Sequence, residues 1–296
     1  MKFKTEILKS LVKEDDPVES VWESMWGIWS PTSDSVSAHY KREGQMKSYE
    51  RLLVDVYHEF YSEILPNRCV NDAAIDIPEN GTFVVMDAMS VREAGLFIDF
   101  LDNQGYDPSV SYSFSSVPSE TIPYRERVGY SEIKREYKTT DVKTDDPSLD
   151  GDEDLVWCRF PDALLENIQE GKTKLSTIEE MYEKTERTFS RIIDQLNTDR
   201  IVIGSDHGYI RLDSGNTFPV SEQNKNRLQE TFSSRFESIA EAEATALVDE
   251  ELVVEADGYY MPIGRYTWPK RGKYSTFTHG GLSLTECITP RITITR

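Results

Sequence analysis

Polar and apolar residues follow two distinct periods along the chain. Runs such as Phe83-Val-Val-Met86, Leu155-Val-Trp-Cys158 and Ile201-Val-Ile203 are short, rich in β-branched or aromatic residues and end abruptly at polar ones. This is how buried strands of a parallel sheet read. Val110 to Ser116 instead alternates Val, Tyr and Phe with Ser, a strand pattern of period two. Between these runs the apolar spacing is helical. Helices are predicted over Glu6–Lys13, Met46–Leu65, Val91–Leu101, Thr177–Asn197 and Asn226–Ala246. In the fourth of these, Ile178, Met181, Tyr182, Thr185, Phe189, Ile192, Ile193 and Leu196 make one stripe, with Ser176 as N-cap and Glu179 at the third helical position. Trp22, Trp26 and Trp29 share one helix side, which suits packing on a core or a partner surface. Leu252-Val-Val opens an antiparallel finish. Strands alternating with helices imply an α/β fold with a mostly parallel central sheet flanked by helices. Residues 1–78 form a helical preface, and 79–296 the α/β region.

Composition narrows the class. The chain has 296 residues, 38% of them hydrophobic, enough for a packed core. No apolar run reaches the ~18 residues of a membrane span, so a cytoplasmic protein that makes no membrane contact is expected. Cys69, Cys158 and Cys287 are widely spaced and odd in number, and read as buried free thiols. The formal net charge of -20 opposes non-specific nucleic-acid binding over the whole surface. Phosphate chemistry in so acidic a chain needs bound cations or a local basic patch.

The chain offers both. Ligands in open α/β sheets bind beyond the carboxyl ends of the strands. Asp87, Asp162, Asp206 and His207 all fall there, along one rim, with Ser90 three residues past Asp87. Two of four histidines, His207 and His279, are followed directly by glycine, which lets backbone approach a ligand closely. Basic residues interleave with tyrosines in Tyr124–Lys138 (Arg125, Arg127, Lys134, Arg135) and again in Arg265–Lys273 (Arg265, Lys270, Arg271). Of these, Arg125, Arg127, Arg265 and Lys270 are the candidates for holding a phosphodiester backbone, against the simpler reading of solvated charged faces.

Four pieces, V-V-M-D-A-M-S, V-P-S-E-T, S-D-H-G-Y and H-G-G-L-S-L-T-E, together resemble the PglZ domain. That domain is a branch of the alkaline phosphatase superfamily found in phage-defence gene clusters of the BREX type. The resemblance runs from about Phe83 to the C-terminus. It implies an alkaline phosphatase-like fold, a two-metal phosphoesterase with Mn or Zn, and other defence-system proteins or nucleic acid as partners. By residue, it implies a first metal at Asp87, Asp206, His207 and the nucleophile Ser90, and a second at Asp162 and His279. Glu166 stands where the superfamily often has His.

A two-metal clamp on the attacking and leaving oxygens suits in-line phosphoryl displacement. A metal-dependent phosphodiesterase, a nuclease in antiviral defence, is the leading expectation. The alternatives are a phosphomonoesterase or nucleotide phosphatase, and a degenerate non-catalytic interaction module. Oxygen donors at Glu166 shift the expected preference toward manganese.

Overall fold

The computed structural model describes residues 11, 16–30, 35–170, 177–213, 215–268 and 276–296. The predicted helix over Glu6–Lys13 lies almost wholly, and Ser176 and Lys270 lie wholly, outside these residues. The N-terminal region is helical. It comprises α1 (Pro17–Trp29), α2 (Val36–Tyr40), α3 (Glu43–Val56), a π-helical turn at Phe60–Ile64 and α4 (Leu65–Asn71). The expected single helix over 46–65 is broken at Tyr57, whose backbone leaves the helical region. Strands and helices then alternate: β1 (Gly81–Met86), α5 (Val91–Asn103), β2 (Ser109–Phe114), α6 (Thr121–Arg127), α7 (Tyr130–Glu136), β3 (Thr139–Val142), β4 (Leu155–Cys158), α8 (Asp162–Glu170), α9 (Ile178–Gln195) and β5 (Arg200–Gly204).

The rest is made of short elements: β6 (Ile210–Arg211), α10 (Glu222–Thr231), β7 (Glu237–Ser238), α11 (Thr245–Asp249), β8 (Val253–Ala256), β9 (Tyr259–Pro262), β10 (Phe277–Thr278), α12 (Leu284–Cys287) and β11 (Ile288–Thr295). The expected helix over 226–246 is therefore not continuous. Its chain leaves helical geometry at Phe232 so that Arg235 can reach Glu286 in the interior, at 3.0 Å. Strong pairing to a distant carboxylate overrides local helix preference here.

The main sheet has six strands in the order β2-β11-β5-β1-β4-β3. β5, β1, β4 and β3 are parallel neighbours, while β11 runs antiparallel to both β5 and β2. The fold is thus α/β with a mixed, mostly parallel sheet. β1 is buried along its whole length, and its side chains divide by period two. Val84 and Met86 pack with α5 and α9, where Phe97 and Phe189 stack at 4.3 Å. Phe83 and Val85 pack on the other face with Tyr124, Tyr130 and Trp157. Truncating Phe189 to Ala would remove a wholly buried ring, at about 3–5 kcal/mol. The cap of α9 is Thr177, closing a capping box with Glu180, one residue later than the pattern suggested.

The helical preface is joined to the sheet by shared core. Trp22, Trp29, Leu53 and Phe60 lie in one apolar cluster with Phe114, Leu282 and Ile288. A buried ionic network runs through the same junction. Glu43 accepts from Arg92 at 2.6 Å and from Arg265 at 2.5 Å, and Arg265 also pairs with Glu50. Arg265 is fully buried. It was a candidate for phosphate binding, and that assignment is corrected: two carboxylates from α3 consume its charge, and no substrate reaches it. All three cysteines are buried free thiols. No helix among the described residues is long and apolar enough to cross a membrane.

Candidate metal centre

The rim formed by the carboxyl ends of β5, β1 and β4 carries the site. Asp206 and His207 follow β5, Asp87 follows β1, and Asp162 opens α8 just beyond β4. Ala88, at φ 61°, turns the chain after Asp87, and its N–H donates to Asp206 Oδ1 at 3.1 Å. Asp162 N in turn donates to Asp87 O at 3.0 Å. Gly208 is required by close approach, since a Cβ there would lie 2.0 Å from the Thr285 carbonyl oxygen.

Asp87, Asp206 and His207 are buried and present ligand atoms that all lie within 4.8 Å of one another. His207 Nε2 is 3.7 Å from Asp87 Oδ1 and 3.8 Å from Asp206 Oδ2. His207 Nδ1 lies 2.9 Å from the Gly208 carbonyl oxygen. A carbonyl only accepts, so the proton belongs on Nδ1 and the Nε2 lone pair faces the carboxylates. Asp206 Oδ2 is buried with no hydrogen-bond partner. An orphaned carboxylate oxygen beside an imidazole lone pair fits a divalent cation. Burial, with Asp206 and Asp162 nearby, pushes the Asp87 carboxyl well above the usual range, although Trp157 and Thr121 hydrogen bonds oppose this. Without a cation, the negative charges gathered here repel one another.

The Ser90 hydroxyl is engaged by other partners. It donates to Glu93 Oε2 at 2.6 Å and accepts from Arg92 Nη1 at 3.0 Å, closing a capping box on α5. It is fully buried and both its hydrogen-bonding roles are taken. The Thr121 hydroxyl, at the start of α6, reaches the group. Thr121 Oγ1 is 3.2 Å from Asp87 Oδ1 and 3.2 Å from His207 Nε2. Sequence reasoning passed over Thr121, although V-P-S-E-T was among the quoted pieces. Trp157, which donates to Asp87 Oδ2 at 3.2 Å, was likewise read only as strand filling.

His279 comes to the same place from the far end of the chain. It follows β10, which pairs with β6 just beyond Tyr209, so the two glycine-flanked histidines are brought together. Ser119 fastens the loop, donating to Gly281 O at 2.9 Å and accepting from Gly280 N at 3.0 Å. His279 Nε2 is 3.6 Å from Asp162 Oδ1, and its Nδ1 is 3.2 Å from Glu120 Oε1. Burial disfavours its charge, but Glu120, with Asp162 and Glu286, lifts the imidazolium to about 10. A metal ion would compete with that proton.

Asp87, Thr121, Asp162 and His279 line a cavity of about 470 Å³, with Asp206 and His207 buried behind them. Glu166, exposed and one turn along α8 from Asp162, lines it, as does Arg125. The Arg125 guanidinium lies over the Trp157 ring at 4.0 Å. Arg127 is directed elsewhere, to the Val70 carbonyl at 2.8 Å and to Asp257. Arg127, proposed from the sequence as a substrate ligand, is not among the residues that line the cavity.

Residues 155–294 match the sequence model of a family described as the BREX system PglZ alkaline phosphatase-like domain. The match takes in Asp162, Asp206, His207 and His279. No curated protein matches the chain. Among solved structures, phosphonoacetate hydrolase from Sinorhizobium meliloti 1021, in complex with phosphonoformate, is similar at 13% identity and a TM-score of 0.27 over 71% of this chain. The match covers 64% of that chain, less than two thirds of its length. The C-terminal periplasmic domain of EcEptC from Escherichia coli, in complex with Zn, is similar at 12% identity and a TM-score of 0.28, over 76% of this chain and 75% of that one. Over residues 155–294, a little under half of the chain, the protein is similar to the PglZ alkaline phosphatase-like domain of the BREX system.

Proposed function

We propose that this protein is a metal-dependent phosphodiesterase acting as a nuclease in phage defence, with Thr121 as its nucleophile. The observation that carries the reading is the Thr121 hydroxyl, 3.2 Å from both Asp87 and His207 in a group able to hold a metal ion. Asp87, Asp206 and His207 hold the first cation. Asp162 and His279 hold the second, with Glu166 as a further oxygen donor. Bound there, divalent cations supply Lewis-acid stabilisation of the phosphoryl oxygens and acidify the neighbouring hydroxyl. Thr121 attacks phosphorus in line and the ester oxygen leaves opposite. Asp87 Oδ1 is placed to accept the Thr121 proton, and Trp157 holds that carboxylate in orientation through its other oxygen. Arg125, held over the Trp157 ring, lines the cavity as an anion contact. Other defence-system proteins are the expected partners.

The test is hydrolysis of bis(p-nitrophenyl) phosphate by metal-loaded wild type, Thr121→Ala and Ser90→Ala. Thr121→Ala is expected to lose activity on the order of a thousandfold or more. Ser90→Ala is expected to retain most of it. The reverse order would remove Thr121 from the reading.

A further inference from the structure

Lys143 and Arg159 belong to neither metal group. Each is the first residue beyond a strand, Lys143 after β3 and Arg159 after β4. Those strands are parallel neighbours with Val142 opposite Cys158, and Arg159 N donates to Val142 O at 3.0 Å. The two cationic residues therefore leave the sheet side by side. In the order β5-β1-β4-β3 they continue the rim that begins with Asp206 and Asp87. At about 4.8 Å per strand, β4 and β3 lie roughly 5 and 10 Å along the rim from Asp87.

Both residues are exposed, and both line the cavity together with Asp87, Thr121 and His279. Among the described residues, neither side chain has a carboxylate partner. The chain as a whole carries 53 acidic and 33 basic residues. Nearby Lys134, Lys138, Lys184 and Arg191 each pair with an aspartate. Asp141, on the same cavity wall, is engaged by Lys134 and Tyr130, each at 3.0 Å. Two cations without an ion pair, side by side at one end of a cavity otherwise rich in carboxylates, present positive charge that an anionic part of the substrate would complement.

We propose that Lys143 and Arg159 form a subsite for a second phosphate of the substrate, flanking the one that is hydrolysed. This rests on the phosphodiesterase reading and narrows the substrate to esters carrying a neighbouring phosphate, as a nucleic-acid strand does.

Two chromogenic diesters test it: thymidine 5′-(p-nitrophenyl phosphate) and the same ester bearing a 3′-phosphate. Wild type is expected to favour the doubly phosphorylated ester in kcat/KM by about tenfold, chiefly through KM. Lys143→Gln with Arg159→Gln is expected to bring that ratio close to one, and Lys143→Glu with Arg159→Glu to invert it. No preference in wild type, or a preference untouched by both variants, overturns the subsite. If neither ester is hydrolysed, the phosphodiesterase reading fails and binding still decides the subsite. Thymidine 3′,5′-bisphosphate should bind metal-loaded wild type about tenfold more tightly than thymidine 5′-monophosphate, with the difference lost in the glutamine variant. Equal affinities in wild type would overturn it.

Discussion

The imidazoles of His207 and His279, far apart in sequence, lie stacked with centroids 4.4 Å apart and planes at 25°. One faces Asp87 and Asp206, the other Asp162. The two candidate ligand groups therefore adjoin.

The gathered carboxylates set a relation between stability and metal. Any ion that binds only the folded state stabilises it by mass action, about 2.7 kcal/mol at a hundredfold excess over Kd. Added Mn²⁺ should raise the melting temperature of chelator-treated protein. Asp87→Asn should behave oppositely in two respects: its metal-free form should melt higher than metal-free wild type, because one repelling charge is gone, and Mn²⁺ should shift it little. A wild-type melting temperature indifferent to Mn²⁺ would contradict this.

Ser90 is expected to matter for stability. Ser90→Ala removes an N-cap and one partner of buried Arg92, a loss of about 1–2 kcal/mol. Urea unfolding measures it, and a stability unchanged by the substitution would contradict the capping role.

The capping role of Ser90 has a physical cause. D-A-M-S after a strand places a hydroxyl at a helix start, which suits both a nucleophile and a cap. What decides between them is Arg92 and Glu93, two and three residues on, whose side chains take both hydrogen bonds of the hydroxyl. The strands ending at Asp87 and Asp206 were legible because each apolar run stops sharply at its carboxylate. The insertion of β11 beside β5 was not, because register between strands ninety residues apart leaves no local trace. Arg265 looked like part of a basic face until Glu43 and Glu50, more than 200 positions earlier, closed on it.

Glu43 gives a pH prediction. Burial opposes its ionisation, but Arg92 and Arg265 outweigh burial and hold its carboxyl at about 2. A depressed carboxyl contributes stability that is full above its unfolded value, about 4.3, and is lost as pH falls toward the folded one. Glu43→Gln should therefore cost about 3–5 kcal/mol at pH 6, and the deficit should shrink by pH 3. Urea unfolding at both values checks it. A deficit independent of pH would mean that the charge of Glu43 is not what stabilises the junction.

Metal preference is expected to depend on Glu166. If it joins Asp162 and His279 as a ligand, its oxygen favours manganese over zinc in activity. Glu166→Ala should then weaken Mn²⁺ activation, measured as the Mn²⁺ concentration for half-maximal rate on bis(p-nitrophenyl) phosphate. Higher rates with Zn²⁺, unaltered by Glu166→Ala, would exclude it as a ligand.

The most direct test of the central claim is the metal content of protein purified without chelator, by elemental mass spectrometry, for wild type and Asp206→Asn. Asp206 contributes the buried oxygen that has no other partner, so wild type should retain a divalent metal that Asp206→Asn loses while still folded by circular dichroism. Equal metal content in the two proteins would contradict the assignment of Asp87, Asp206 and His207 as a metal centre.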